Sequence, residues 1–147
     1  MAIHHSMSEI LDMTAKLKTK DEKIQWLRKN DTVPFRNVLR LIYDNTIEFL
    51  LPDSAPPWKE NQFEDEAKSL LFREARRLRI FVKGGGYDHL PQIKRETLFI
   101  QLLQDIDNDD AKLLANNMLS HKAVKGLTRK TLEEAYPTLF KEPIKLA

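Results

Sequence analysis

The sequence predicts an all-α fold, a compact bundle of about six or seven short helices with a proline-bounded extended strap between its two halves. Three observations carry this. Apolar residues recur at helical spacing in most segments, helix-start signals such as Thr19 with Glu22 punctuate them, and Pro52, Pro56 and Pro57 gather in one stretch that cannot be helical. With 147 residues the chain fits one domain, read as residues 8–147 behind a disordered or extended tail over 1–7.

Taken in order, Ser8 is placed to cap a first helix with Ile10, Leu11, Thr14 and Leu17 on its inner side, ending near Lys18. Thr19 and Glu22 have the spacing of a capping box and open a second helix, anchored by Ile24, Trp26 and Leu27 and closed by Asn30-Asp31. Pro34 suits the first turn of a third, in which Phe35, Val38, Leu39 and Ile42 follow the i, i+3, i+4, i+7 pattern. Ile47, Phe49 and Leu51 then alternate like a short strand, but Leu50 breaks the alternation and no partner strand is evident.

Leu51 to Phe63 is the strap, with Trp58 and Phe63 as its large apolar anchors; it reads more simply as a cover over the core than as a peptide-docking surface. Glu64 to Phe81 resumes as one helix with Ala67, Leu70, Leu71, Ala75 and Leu78 inward. Three glycines, Gly84 to Gly86, break it. They lack the lysine and hydroxyl of a Walker loop and any strand feeding it, so they read as a flexible helix–helix connector.

The densest apolar run, Pro91 to Met118, reads as the centre of the bundle. Ile93, Leu98, Leu102 and Ile106 form one stripe, and Phe99, Ile100 and Leu103 widen it enough to need partners on more than one side. A break at Asp107-Asn108 restarts a helix carrying Ala111, Leu114, Ala115 and Met118. After a polar basic stretch, Thr128 caps a last short helix with Leu132 and Ala135 inward and Pro137 as its stop; some of Leu139, Phe140, Ile144 and Leu146 then dock on the body.

Composition removes several function classes. The chain has no cysteine, which excludes disulfides, thiolate zinc sites and thiol catalysis and fits a reducing compartment. No apolar run approaches the ~18–20 residues of a membrane span, so no membrane partner is expected. Asp105, Asp107 and Asp109 begin like a calcium loop, but Asp110 and Asn116 stand where that loop needs its glycine and closing glutamate, so the aspartates read as helix caps and no metal or cofactor is expected. His89 and His121 read as lone, solvated histidines. No serine sits in a nucleophile elbow and no carboxylate pair is singled out by spacing, so an enzyme is not expected.

Electrostatics is what remains. The net charge of +2 is small, but residues 44–66 hold seven acids against Lys59, while residues 68–95 hold eight bases against Glu74 and Asp88. Adjacent segments of opposite sign can neutralise one another on folding, which is the simpler reading. The sharper one is a phosphate-contacting surface made by Arg73, Arg76 and Arg77 on one helix face, extended by Lys83 or by Lys122, Lys125, Arg129 and Lys130. Aromatic residues of the kind that stack bases are not interleaved with these cations in the sequence, so sequence recognition of single strands is disfavoured.

Four strings, LRKNDTVPFRNVLRLIYDNTIEFLLPDSAPPW, EARRLRIFVKGGG, KRETLFIQLLQDIDNDDAKLL and KGLT followed by EAYP, stand in this order between about Ser8 and Phe140. Together they resemble a family of small proteins without assigned activity from tailed bacteriophages of marine cyanobacteria and related hosts. The chain departs from that family at His121-Lys122-Ala123-Val124, where its members carry a lysine-rich loop with proline and tyrosine. The resemblance implies a phage accessory protein of the host bacterial cytoplasm. Its expected partner is a host or phage protein of the replication or transcription machinery, with direct binding of nucleic-acid backbone as the alternative.

Overall fold

Each of the first three helices begins where a side-chain oxygen is available to take an otherwise unpaired first-turn amide. In the computed structural model, which describes residues 5–52, 57–60 and 70–144, helix α1 spans Met7–Lys16, α2 spans Lys20–Lys29 and α3 spans Val33–Tyr43. Thr19 and Glu22 form the expected capping box of α2, and Thr32 caps α3 with Pro34 in its first turn. Helix α1 starts earlier than Ser8. Ser6 and Glu9 form a second capping box, Ser6 Oγ accepting from Glu9 N at 3.2 Å and Glu9 Oε1 from Ser6 N at 2.9 Å. Ser6 and Met7 are buried, so the domain reaches back into the segment read as a tail; residues 1–4 lie outside the described ones.

Helix α4, Leu70–Glu74, passes into a 3-10 segment, Ala75–Phe81. The single α-helix expected over 64–81 is therefore corrected in its second half, and Ala67 falls outside the described residues. Leu71, Ala75, Leu78 and Phe81 are buried, a spacing of three to four residues that the tighter winding still brings inward. Phe49 and Val82 form an antiparallel bridge, with Leu50 N donating to Phe81 O at 2.8 Å and Lys83 N to Glu48 O at 2.9 Å. The alternating residues 47–51 thus have a partner. It is one residue long and distant in sequence.

Helix α5 spans Gln92–Asp105 and helix α6 Asn108–Leu113, the latter running on as a π-helical turn, Leu114–Met118. Asp107 caps α6 by accepting from Asp109 N and Asp110 N, both at 3.1 Å. Helix α7, Arg129–Ala135, is capped by Thr128. Phe99, Leu102, Leu103, Ile106, Ala111, Leu114 and Met118 are buried, enclosed by Phe35, Leu39 and Ile42 of α3, Leu71 and Leu78. Phe81 meets Phe99 edge-on at 5.1 Å. Ile93 departs from the expected stripe. It sits in the first turn of α5 and is 82% exposed. Of the strap, residues 53–56 and 61–69, with Phe63, lie outside the described residues; Trp58 packs on the core and Lys59 N donates to Gln104 Oε1 at 3.0 Å. Among the described residues no helix is long and apolar enough to cross a membrane.

Gly126 closes the loop into α7 at φ +81, and a Cβ there would lie 2.6 Å from Ala15 Cα. Gly126→Ala combines left-handed strain with a backbone clash against α1 and is expected to cost about 1–3 kcal/mol, read as a lower urea midpoint at unchanged slope.

Candidate interaction surface

The 3-10 winding after Glu74 decides which arginines share an edge. At about three residues per turn, i and i+3 eclipse, so Arg76 and Arg79 share an edge that Arg73 continues into the α-helical turn, while Arg73 and Arg77 share the Glu74 carboxylate. Arg73 is 70% exposed and Arg76 is exposed. Arg77 turns to Glu74 at 3.5 Å and Asp105 at 3.7 Å, and Glu74 also lies 3.5 Å from Arg73. Lys83 lies 3.6 Å from Glu48, with both side chains well exposed. That pair joins the basic and acidic segments, though exposed pairs of this kind contribute little stability.

Arg79 and Arg95, counted by sequence as parts of the basic segment, have different roles. The Arg79 guanidinium lies over the Tyr87 ring at 5.4 Å and donates to Tyr87 Oη at 3.3 Å. Arg95 is 3% exposed. Its Nη2 donates to the carbonyls of Tyr87, Asp88 and Leu90 at 2.9, 3.1 and 3.2 Å, and its Nη1 to Gln92 Oε1 at 2.8 Å. The glycine turn is held from its other side, where Asp88 accepts from Gly84 N at 3.0 Å. Gly85 packs so closely that a Cβ would fall 2.1 Å from Arg79 O. The expected flexible connector is therefore a folded loop, built on the 3-10 segment and gripped by a buried guanidinium.

The second group of cations is divided. Lys122 and Lys125 are exposed and, with Lys112, line a depression of about 550 Å³ whose rim also carries Asp12 and Asp109. Arg129 is held in place: it pairs with Glu133 at 2.9 Å, donates to Tyr43 O at 3.2 Å and lies 4.0 Å over the Phe140 ring. Lys130 is exposed and lines a different depression, beside Glu133 and Glu134. Lys122 and Lys125 thus line one depression and Lys130 another.

His121 is also corrected. It adopts φ 53, and its Nδ1 and Nε2 face the carbonyls of Ile42 and Ile47 at 3.3 and 2.8 Å, with the ring 5.3 Å from that of Phe49. It takes up a carbonyl at the end of α3 and is no solvated loop residue. Beside it the Tyr43 hydroxyl donates to Leu127 O at 2.7 Å and accepts from Val124 N at 2.9 Å. Burial pushes the Tyr43 phenol up to about 12, against the opposing Val124 bond, so it stays a neutral donor. The loop bearing Lys122 and Lys125 is thus fastened to the end of α3.

A third feature was invisible in the sequence. Arg40 donates to the carbonyls of Leu139 and Glu142 and pairs with Asp44 at 2.8 Å, which lays the segment after α7 across α3. Between them runs a groove of about 350 Å³ lined by Val33, Arg36, Asn37, Leu139 and Ile144, with Val33 57% exposed. Leu139, Phe140 and Ile144 pack on the core as expected, and Leu146 lies outside the described residues.

No curated protein and no solved structure is similar to this chain. A family model does match, over residues 10–124, which hold α1 from Ile10 onward, α2 to α6, the glycine loop and the His121 turn. The chain therefore belongs to that family, a family of unknown function (DUF6433).

Proposed function

We propose that this chain is a nonenzymatic binding protein, a phage accessory factor of the bacterial cytoplasm that engages a host or phage protein of the replication or transcription machinery. The groove between α3 and residues 138–144 carries the reading. Val33, Leu139 and Ile144 line a groove open at Val33, bordered by Arg36, which pairs with Asp31, and Arg40, which pairs with Asp44, and it suits an apolar side chain. The residues with the most chemical potential support it as well: His121, Tyr43 and Arg95 hold backbone together.

Val33→Asp tests it without threatening the fold, because Val33 is exposed and an acid in the first turn suits the helix dipole. Tagged wild type and variant are used to capture partners from infected-cell lysate with and without nuclease. A discrete protein retained through nuclease and lost with Val33→Asp is the expected result; retention that nuclease abolishes, or that the variant leaves unchanged, refutes the groove.

The second reading is direct contact with nucleic-acid backbone, favoured by the exposure of Arg73 and Arg76. Salt separates the two readings. Phosphate neutralisation weakens binding steeply as salt rises, whereas an apolar protein interface responds weakly.

A further inference from the structure

We infer that the edge formed by Arg73, Arg76 and the Arg79–Tyr87 stack takes single-stranded nucleic acid, the arginines meeting successive phosphates and Tyr87 stacking on a base. The inference rests on the second reading above and is independent of the α3 groove.

Three observations carry it. First, the passage from α-helix to 3-10 helix lines up Arg73, Arg76 and Arg79 along one edge, with a rise between them of about 4.5–6 Å. Guanidinium groups on long stems at this spacing can each reach a separate phosphate, singly or by two hydrogen bonds. Among the described residues Glu74 and Asp105 lie beside Arg77, with Glu74 also 3.5 Å from Arg73, so four arginines there face two carboxylates.

Second, folding supplies the aromatic group that the sequence did not place among the cations. Tyr87 comes from beyond the three glycines to lie against Arg79 and keeps part of its surface exposed. An aromatic ring next to a row of cations is the pairing that single-strand binders use, because every base has a face to stack while the backbone follows the charge. A duplex keeps its bases stacked internally and has nothing to offer Tyr87.

Third, the ring is positioned before any ligand arrives. Arg95 grips the Tyr87, Asp88 and Leu90 carbonyls, Asp88 holds Gly84 N, and Gly85 seats against Arg79 O. A loop whose ordering entropy is already spent on folding loses little more on binding.

The test is fluorescence anisotropy of the full-length protein with labelled oligo-dT, oligo-U and a duplex of equal length, titrated at several salt concentrations. Both single strands are expected to bind at least tenfold tighter than the duplex. The log–log salt slope should be about −2, as three contacts at −0.7 each require. Tyr87→Leu is expected to weaken single-strand binding by roughly 5- to 100-fold at an unchanged salt slope, from the loss of one stacked base. The double variant Arg73→Gln, Arg76→Gln, both at exposed positions, should flatten the slope to about −0.7. Tyr87→Phe keeps the ring and should bind like wild type, which separates stacking from any effect on folding.

Equal affinity for duplex and single strands would overturn the single-strand inference while leaving backbone contact standing. Binding of neither overturns both. Retention of polyglutamate as tightly as oligonucleotide, sensitive to the same arginines, would identify an acidic protein surface as the occupant and also overturn it.

Discussion

Replacing Asp110 by asparagine is expected to flatten the pH dependence of stability between about pH 4 and 8. Asp110 is fully buried on α6 and accepts from Ser8 N, in the first turn of α1, at 2.8 Å. Burial raises its carboxyl to about 7, with the Ser8 bonds opposing and the Asp107 charge adding to the rise. Asp107 is raised in the same direction, also chiefly by burial. A carboxyl held above its unfolded value of about 3.9 binds its proton more tightly when folded, so its stabilising contribution is complete below that value and is lost as pH rises through the folded value. The wild type is therefore expected to lose roughly 4 kcal/mol from this group alone between about pH 4 and 8. Asp44 works in the opposite sense: burial raises it, but hydrogen bonds from Thr46 and Arg40 outweigh burial and lower it, so its contribution is lost as pH falls. Only the difference between wild type and Asp110→Asn isolates Asp110. Urea midpoints at half-unit pH steps measure it, and an identical slope in the two proteins would show that Asp110 does not carry the linkage.

The second large effect is expected at Arg95. Its guanidinium is the common partner of three carbonyls, and truncation strands them together with the loop they shape. Arg95→Ala should cost about 3 kcal/mol, the sum of several lost charge-assisted hydrogen bonds less what water recovers. Lysine cannot span the same acceptors, because an ammonium is a point donor where guanidinium is a planar fork. Arg95→Lys should therefore regain less than half of the loss. Hydrogen exchange gives a local readout: the amides of Gly85 and Leu90, bonded to Val82 O and Tyr87 O, should lose protection in both variants while those of α3 keep theirs. Equal loss in α3 would mean that Arg95 supports the whole core and not the loop.

Local signals were enough wherever an element answers to its own residues. The α3 pattern of Phe35, Val38, Leu39 and Ile42 is buried throughout, and Thr19, Pro34, Asp107 and Thr128 stand at the helix starts where spacing put them. Ser6 and Glu9 carry the same capping-box spacing as Thr19 and Glu22, so the true start of α1, ahead of Ser8, is legible in the sequence. Ile93 fitted the period and still lies in solvent, because periodicity names a face and cannot say whether anything covers its first turn.

The candidate surface was legible in composition but not in arrangement. Arginines between residues 73 and 79 could be counted, yet which of them share an edge depends on α-helix giving way to 3-10, a choice made by packing against α3 and α5. By sequence Arg95 counts only as one base of the basic segment and Asp110 as one of the capping aspartates, because burial of a charge depends on partners far along the chain or on backbone carbonyls, neither of which leaves a mark in spacing. Tyr87 was eight residues from Arg79 with three glycines between them, and only the folded loop sets one against the other.

By itself, then, the sequence determined an all-α chain with most of its helices, caps and core, since those follow from side-chain periodicity and from hydrogen bonds made within a few residues. Tertiary structure alone decided the groove along α3, the meeting of Tyr87 with Arg79 and the burial of Arg95 and Asp110. These are meetings between distant residues, whose free energy depends on what surrounds a charge or a ring after the chain has closed around it.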